Sequence, residues 1–262
     1  MDLAGKVAVV TGGAGGIGQA LARRLMREGV KAVVIADLDA TRLAELAADI
    51  GCDWQRCDVS KEAEVQALVA DTAAKHGPID LFCSNAGVLD VDADFSDATS
   101  APNSGWERSW AVNVMAHVYA ARACLPAMRE RRSGHFLHTI SAAGLLSQIG
   151  SGPYSTTKHA AIGFAEHLAI AHKDDGIGVS MLCPQGVDTA MIRRDTKGAP
   201  HPALADGVLS PEVVADIAIE GVKAGEFLIL PHAEVASYMA NKAASYPRWI
   251  GGMAKMRRGR NG

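Results

Sequence analysis

The chain has 262 residues, of which 48% are hydrophobic and 21% charged, and its formal net charge is -3. That length lets one α/β domain bury most of its surface without staples, and the mild negative charge offers no electrostatic footprint for nucleic acid. Five cysteines, Cys52, Cys57, Cys83, Cys124 and Cys183, are odd in number and lack metal-ligand spacing, which points to reduced thiols in a cytoplasmic protein. The N-terminus shows no basic n-region and no cleavage site. No apolar run approaches the roughly 18 residues a membrane span needs, so a soluble protein without a membrane partner is expected.

Taken in order, apolar runs of strand length alternate with helical patterns. Lys6–Thr11 reads as a buried strand, followed by a helix over Gly16–Arg27 with Ile17, Leu21 and Leu25 at helical spacing. Ala32–Asp37 is a second strand and Thr41–Asp49 its helix; Trp54–Asp58 is a weaker third strand, with a helix over Glu62–His76. Asp80–Asn85 makes a fourth strand, and after a loop rich in Asp and Ser comes a long helix, Trp106–Met128. Gly134–Ser141 is a fifth strand, Tyr154–His172 a second long helix and Gly178–Cys183 a sixth strand. Ser210-Pro211-Glu212 supplies an N-cap, a proline at the first helical position and an early acid, opening a helix to about Ala224. Phe227–Leu230 is the last strand, and the basic stretch Lys255–Arg260 reads as a solvated, frayed terminus. Continuous Val/Ile/Leu strands are buried on both faces, the parallel-sheet pattern. With no linker in sight, the expectation is one α/β domain over residues 1–262: a Rossmann-type doubly wound parallel sheet of about seven strands, helices on both faces.

The turn after the first strand carries the first chemical signal. Thr11-Gly12-Gly13-Ala14-Gly15-Gly16-Ile17-Gly18 fits G-x-G-x-x-G at Gly13, Gly15 and Gly18, and equally T-G-x-x-x-G-x-G at Thr11, Gly12, Gly16 and Gly18. Glycines allow a sharp turn and close approach of backbone to a pyrophosphate, and the helix start offers free N–H groups and its positive dipole end. A strand before, a helix after and an acid at the next strand's end supply the context of a dinucleotide site. The absence of G-K-[ST] argues against a mononucleotide loop. Asp37 can accept from both ribose hydroxyls of NAD and would repel the 2′-phosphate of NADP. Its alternative role, a helix N-cap, falls more naturally to Asp39.

The second signal is a dispersed set. Asn85-Ala86-Gly87 ends the fourth strand, Asn113 lies inside a long helix where an amide is a poor helix former, and Ser141 ends the fifth strand. Tyr154 and Lys158 at i, i+4 share a helix face, which puts an ammonium beside a phenol. Each has an ordinary alternative: Tyr154 a core aromatic, Lys158 a surface charge, Ser141 a strand-end cap, Asn113 a kink. With Asp58-Val59, these pieces in this order resemble the short-chain dehydrogenase/reductase family from about Lys6 to Leu230.

The resemblance implies a hydride transfer between NAD and a secondary alcohol or ketone. Tyr154 would be the acid/base, and Lys158 would lower its pKa and hold ribose hydroxyls. Ser141 would hold the substrate oxygen and Asn113 would position a relay water. Phenol titrates near pH 10 when unperturbed, so a neighbouring cation is what would make it a base near neutrality. The cofactor would lie along Gly12, Gly15, Gly16, Ile17 and Gly18, then Asp37 and Leu38, Asp58 and Val59 beside the adenine, Asn85, Ala86 and Gly87, and Pro184, Val187 and Thr189. One departure is Pro184-Gln185-Gly186-Val187-Asp188-Thr189, where the family usually shows P-G-x-V-x-T. Gln185 thus brings an amide side chain near the nicotinamide end.

The substrate pocket is expected from the loop after Gly87, Ala142–Gly152, Gln185-Gly186 and a lid over Ala190–Leu209. Its residues would include Ser141, Leu146, Gln148, Tyr154, Gln185, Gly186 and Met191. Leu145, Leu146, Ile149, Met191 and Ile192 suggest an apolar wall and a hydrophobic alcohol or ketone. Two alternatives stand beside this one, an NADP-dependent ketone reductase and a non-catalytic NAD-binding sensor. His135 and His138 are read as sharing a strand face without a third ligand, so no metal is expected. The small residues Ala111, Ala116, Ala120, Ala160, Ala161 and Ala165 on the two long helices suggest, by analogy with the family, the interface of a homodimer or homotetramer.

Overall fold

A computed structural model describes residues 1–196 and 206–259. Strand β1 (Val7–Thr11) is buried along its whole length, as expected of a run with no polar alternation. It is an interior strand, third of seven, in a sheet with β2 (Ala32–Asp37), β3 (Asp53–Arg56), β4 (Leu81–Ser84), β5 (Gly134–Thr139), β6 (Ile177–Leu182) and β7 (Leu228–Ile229). The spatial order is β3-β2-β1-β4-β5-β6-β7, and every pairing is parallel. Strand order reverses between β1 and β4, which opens a crevice at their carboxyl ends, the usual ligand position of such sheets.

The period of two splits the core into two layers. Val7 and Val9 face one side, packing with α3 (Glu62–His76), α5 (Ala116–Glu130) and α7 (Gly152–Ala171) through Leu68, Cys124, Ala165 and Leu168. Ala8 and Val10 face the other, packing with α1 (Gly16–Arg27), α2 (Ala40–Ile50) and α9 (Pro211–Ala224) through Leu21, Leu25, Leu43 and Ile219. The Ser210 N-cap is made as expected, its side chain accepting from the Val213 amide.

Four features depart from the sequence reading. The long helix expected over Trp106–Met128 is α4 (Asn103–Trp110), a π-helical turn over Ala111–Met115, and α5. A short helix α6 (Ala142–Leu146) follows Ser141, and α8 (Ala190–Thr196) opens the expected lid, whose residues 197–205 lie outside the described residues. The basic terminus is not frayed: after α10 (Glu234–Ala244), residues Tyr246–Arg258 form helix α11, with Arg260 outside the described residues. Finally, Ala116, Ala120, Ala161 and Ala165 are buried against the chain's own sheet. Ala111 and Ala160, from the same small-residue stripe, are only half-buried.

Candidate active site

The glycine turn is built by close approach. Gly12 takes φ +67°, and a Cβ there would lie 2.9 Å from the Ala86 Cα; one on Gly18 would lie 2.1 Å from the Gly12 carbonyl oxygen. These two positions therefore admit only glycine while β1 and β4 keep their turns together. Asn85 locks the same junction, its amide donating to the carbonyls of Thr11 at 3.1 Å and Gly12 at 3.4 Å. The Thr11 hydroxyl in turn accepts from the main-chain amides of Asn85 and Ala86. Gly15, at the start of α1, has nothing within 4 Å of its Cβ position. The turn thus combines a forced backbone with open space at a helix start, which fits a pyrophosphate. Thr189 is brought to the same place, its methyl 3.1 Å from a Cβ built on Gly16, while Val187 is buried and Ile17 packs into the core edge.

At the end of β2, Asp37 accepts from the Ala14 amide at 3.1 Å and the Leu38 amide at 2.7 Å. It therefore faces the glycine turn, and the N-cap of α2 is Asp39. Leu38 is exposed. The β2–β3 register sets Arg56 opposite Asp37. The Arg56 guanidinium pairs with Glu64 at 3.1 Å. Asp58 turns its carboxylate onto the Ser60 amide and hydroxyl and Lys61. Those bonds outweigh burial and hold its carboxyl below the ordinary range. Val59 points into the core.

The catalytic candidates converge on the carboxyl ends of β4, β5 and β6. Gly87 lets them close up: a Cβ there would sit 3.4 Å from Asn113 Oδ1 and 3.5 Å from Lys158 Nζ. Asn113 is fully buried at the middle of the π-helical turn, a distortion common at functional sites. Its amide oxygen accepts from Val88 N at 2.9 Å, and its nitrogen donates to Val88 O at 3.0 Å and Thr157 Oγ1 at 3.1 Å. That side chain is committed to holding the loop after Gly87. Lys158 Nζ donates to Thr139 O at 3.4 Å and lies 5.5 Å from the centre of the Tyr154 ring. Burial pushes its pKa down to about 8. Ser141 caps α6, its hydroxyl accepting from the Ala143 amide at 3.1 Å and reaching the Pro184 carbonyl only at 3.5 Å.

Ser141 and Tyr154 open onto a cavity of about 560 Å³. Leu146, Gln148 and Met191 line it as expected, as do Ile149, Ile192 and Gln185; Gly186 and Leu145 do not. The Leu145 carbonyl instead accepts from Lys242. The Gln185 main-chain amide donates to His232 Nδ1 at 3.2 Å, so this amide residue is anchored by the chain beyond β7. The cavity's far side comes from segments that sequence reading passed over, with Tyr238 of α10 and Arg248, Trp249, Met253 and Met256 of α11. A signal existed in Ser245-Tyr246-Pro247, which repeats the Ser-Pro start read correctly at Ser210. Here Ser245 is the N-cap and accepts from the Arg248 amide.

His135 and His138 lie on opposite faces of β5, because residues three apart on a strand must. His138 meets His117 with Nδ1 atoms 3.0 Å apart, and His135 meets the Ser180 hydroxyl at 2.9 Å. Burial lowers His138 to about 3 and His135 to about 4. Among the described residues no group of three His, Cys, Asp or Glu could hold a metal ion, and no helix is long and apolar enough to cross a membrane.

The chain is similar to 1-deoxy-11-beta-hydroxypentalenate dehydrogenase of Streptomyces exfoliatus, 36% identical over 241 residues, 89% of this chain and 86% of that protein. It is also similar to a mitochondrial borneol dehydrogenase of Lavandula x intermedia, 32% identical over 219 residues and 83% of each chain. Among solved structures, a short-chain dehydrogenase/reductase of Burkholderia phymatum in complex with NAD superimposes with a TM-score of 0.79 at 29% identity, covering 91% of this chain and 93% of its own. The short chain dehydrogenase family model matches residues 6–199, and the chain belongs to that family.

Proposed function

We propose that this protein is an NAD-dependent dehydrogenase that interconverts a bulky apolar secondary alcohol and its ketone, with Tyr154 as the acid/base. The observation that carries this reading is the placement of Tyr154 on the wall of an apolar cavity with the buried Lys158 ammonium behind its ring. A cation there favours phenolate, so the phenol can accept the substrate's hydroxyl proton. Ser141 has only a long contact for its own proton, which leaves the hydroxyl free to donate to the substrate oxygen. Bound NAD supplies the hydride acceptor. Gly12, Gly15, Gly16 and Gly18 would hold its pyrophosphate, Asp37 its adenosine ribose, Lys158 its second ribose, and the Pro184–Thr189 stretch its carboxamide end. Asn113 acts through the loop and the π-helical turn it ties together. Positioning of a relay water falls to the main chain of that turn, where the regular ladder is broken.

The relatives fit this reading, since one is named as a dehydrogenase of a hydroxypentalenate and the other as a dehydrogenase of borneol. Asp37 facing the glycine turn favours NAD over NADP. The test is a panel of cyclic and open-chain secondary alcohols assayed with both cofactors, repeated with Tyr154→Phe. Loss of a general acid/base should cut turnover about a hundredfold or more with NAD binding retained. A variant that keeps a substantial share of the wild-type rate would show that Tyr154 is not the base, whereas NAD binding without turnover of any alcohol or ketone by the wild-type protein would favour the sensor reading.

A further inference from the structure

The cavity wall contributed by α11 carries a charge that the apolar substrate reading leaves unused. Among the described residues two ionic side chains line the cavity, Asp206 and Arg248. Asp206 is engaged, accepting from the Tyr238 hydroxyl at 2.9 Å. The neighbouring cations are engaged as well: Lys242 donates to the Leu145 carbonyl at 2.6 Å, and Arg257 donates to the Phe95 carbonyl. Among the described residues the Arg248 guanidinium has no ion pair and no hydrogen bond; only its main-chain amide is used, in the Ser245 cap. Helix stability does not account for it either. Arg248 is the third residue of α11, where the positive end of the helix dipole disfavours a cation and favours an acid. Around it the wall is apolar, with Trp249, Met253 and Met256 from the same helix.

A planar five-donor cation beside an apolar surface suits a ligand with a hydrocarbon body and a carboxylate, which guanidinium grips through two parallel hydrogen bonds. We infer that Arg248 is a specificity-determining residue that binds a carboxylate on the substrate, so that the preferred substrate is a bulky alicyclic hydroxy acid. This inference rests on the dehydrogenase reading of Ser141 and Tyr154, which supply the other wall of the same cavity. As the body of the ligand covers the guanidinium and excludes water, the ion pair strengthens beyond what an exposed pair would give. Asp206 sets the opposing charge, so its removal should favour the acid further.

The experiment uses alicyclic secondary alcohols of one, two and four rings, each with a carboxylate remote from the hydroxyl, compared with their methyl esters; lithocholate is the largest. Binding is measured by calorimetry on the NADH-loaded protein and turnover with NAD. In at least one ring size the acid should bind about tenfold more tightly than its ester. Arg248→Gln should bring that ratio close to one, and Asp206→Asn should raise it. Acids that bind no better than their esters throughout the series, acids that do not bind at all, or a ratio that survives Arg248→Gln would each overturn the inference. If the acids bind preferentially but neither acid nor ester is oxidised, the anion site stands and the dehydrogenase reading is what has failed.

Discussion

Lys158 is 3% exposed, and its one hydrogen bond, to the Thr139 carbonyl, is long at 3.4 Å. The cost of keeping that ammonium in the core can be worked out. Its pKa falls from an ordinary 10.5 to about 8, which at about 1.4 kcal/mol per tenfold change in proton affinity is a penalty of about 3 kcal/mol. Below pH 8 the group is charged in both folded and unfolded chains, and the whole penalty is present. Between pH 8 and 10.5 the folded chain has released the proton that the unfolded chain still holds, so stability rises with pH. Above both values the penalty is gone. Lys158→Met keeps the side chain's length and removes the charge. In the cofactor-free protein at pH 7 it should gain about 3 kcal/mol, or about 6–12 °C in Tm for a chain of this size, while losing activity. Urea unfolding of both proteins at pH 7, 8, 9 and 10 isolates the effect, because titrations elsewhere cancel in the difference. A variant less stable than wild type at pH 7, or a gap that does not narrow between pH 8 and 10, would refute the burial argument.

Three further outcomes follow from the site. Asp37→Ala should weaken NAD and improve NADP, since a 2′-phosphate beside the carboxylate costs about 1–4 kcal/mol, or about five- to a thousandfold; a kcat/KM ratio for the two cofactors that does not move would show Asp37 to be structural, and Arg56→Ala measured alongside tests whether that guanidinium leaves Glu64 for the phosphate. The glycines should separate: Gly18→Ala, forced against the Gly12 carbonyl, should lower stability by about 1–3 kcal/mol, whereas Gly15→Ala has room and should leave Tm unchanged while weakening NAD binding in calorimetry. We also expect a homodimer or homotetramer through the two long helices, where Trp110 and Ile170 are 47% and 78% exposed; light scattering that finds a single 27.4 kDa chain at micromolar concentration would contradict it.

The sequence made the sheet and the cradle legible because both are written locally. Apolar runs such as Ala32–Asp37 and glycines at fixed spacing owe their form to sterics within a few residues, and helix Gly16–Arg27 falls where its pattern put it. What escaped was set by distant neighbours. The π-helical turn at Asn113 exists because its amide is pulled onto Val88 and Thr157, 25 and 44 residues away. Helix α11, with Gly251 and Gly252 at its middle, has weak intrinsic propensity, and packing of Trp249 against Leu146 and Val235 compensates for it. The alanines of α5 and α7 are a similar case: spacing revealed a small-residue face, and only the fold shows that Ala116, Ala120, Ala161 and Ala165 are buried within the chain.

The cavity's two walls have separate chain origins, and that division has an evolutionary consequence. Ser141, Tyr154 and Lys158 hang on β5 and α7, where the core fixes their positions, whereas Tyr238, Arg248, Trp249 and Met256 come from helices beyond β7 that carry no strand of the sheet. Mutations that reshape the outer wall therefore leave the proton-transfer geometry alone, and selection can try new substrates without first dismantling the reaction. Lineages descended from such an ancestor would diverge fastest after Ile229 and keep their chemistry while changing what they act upon.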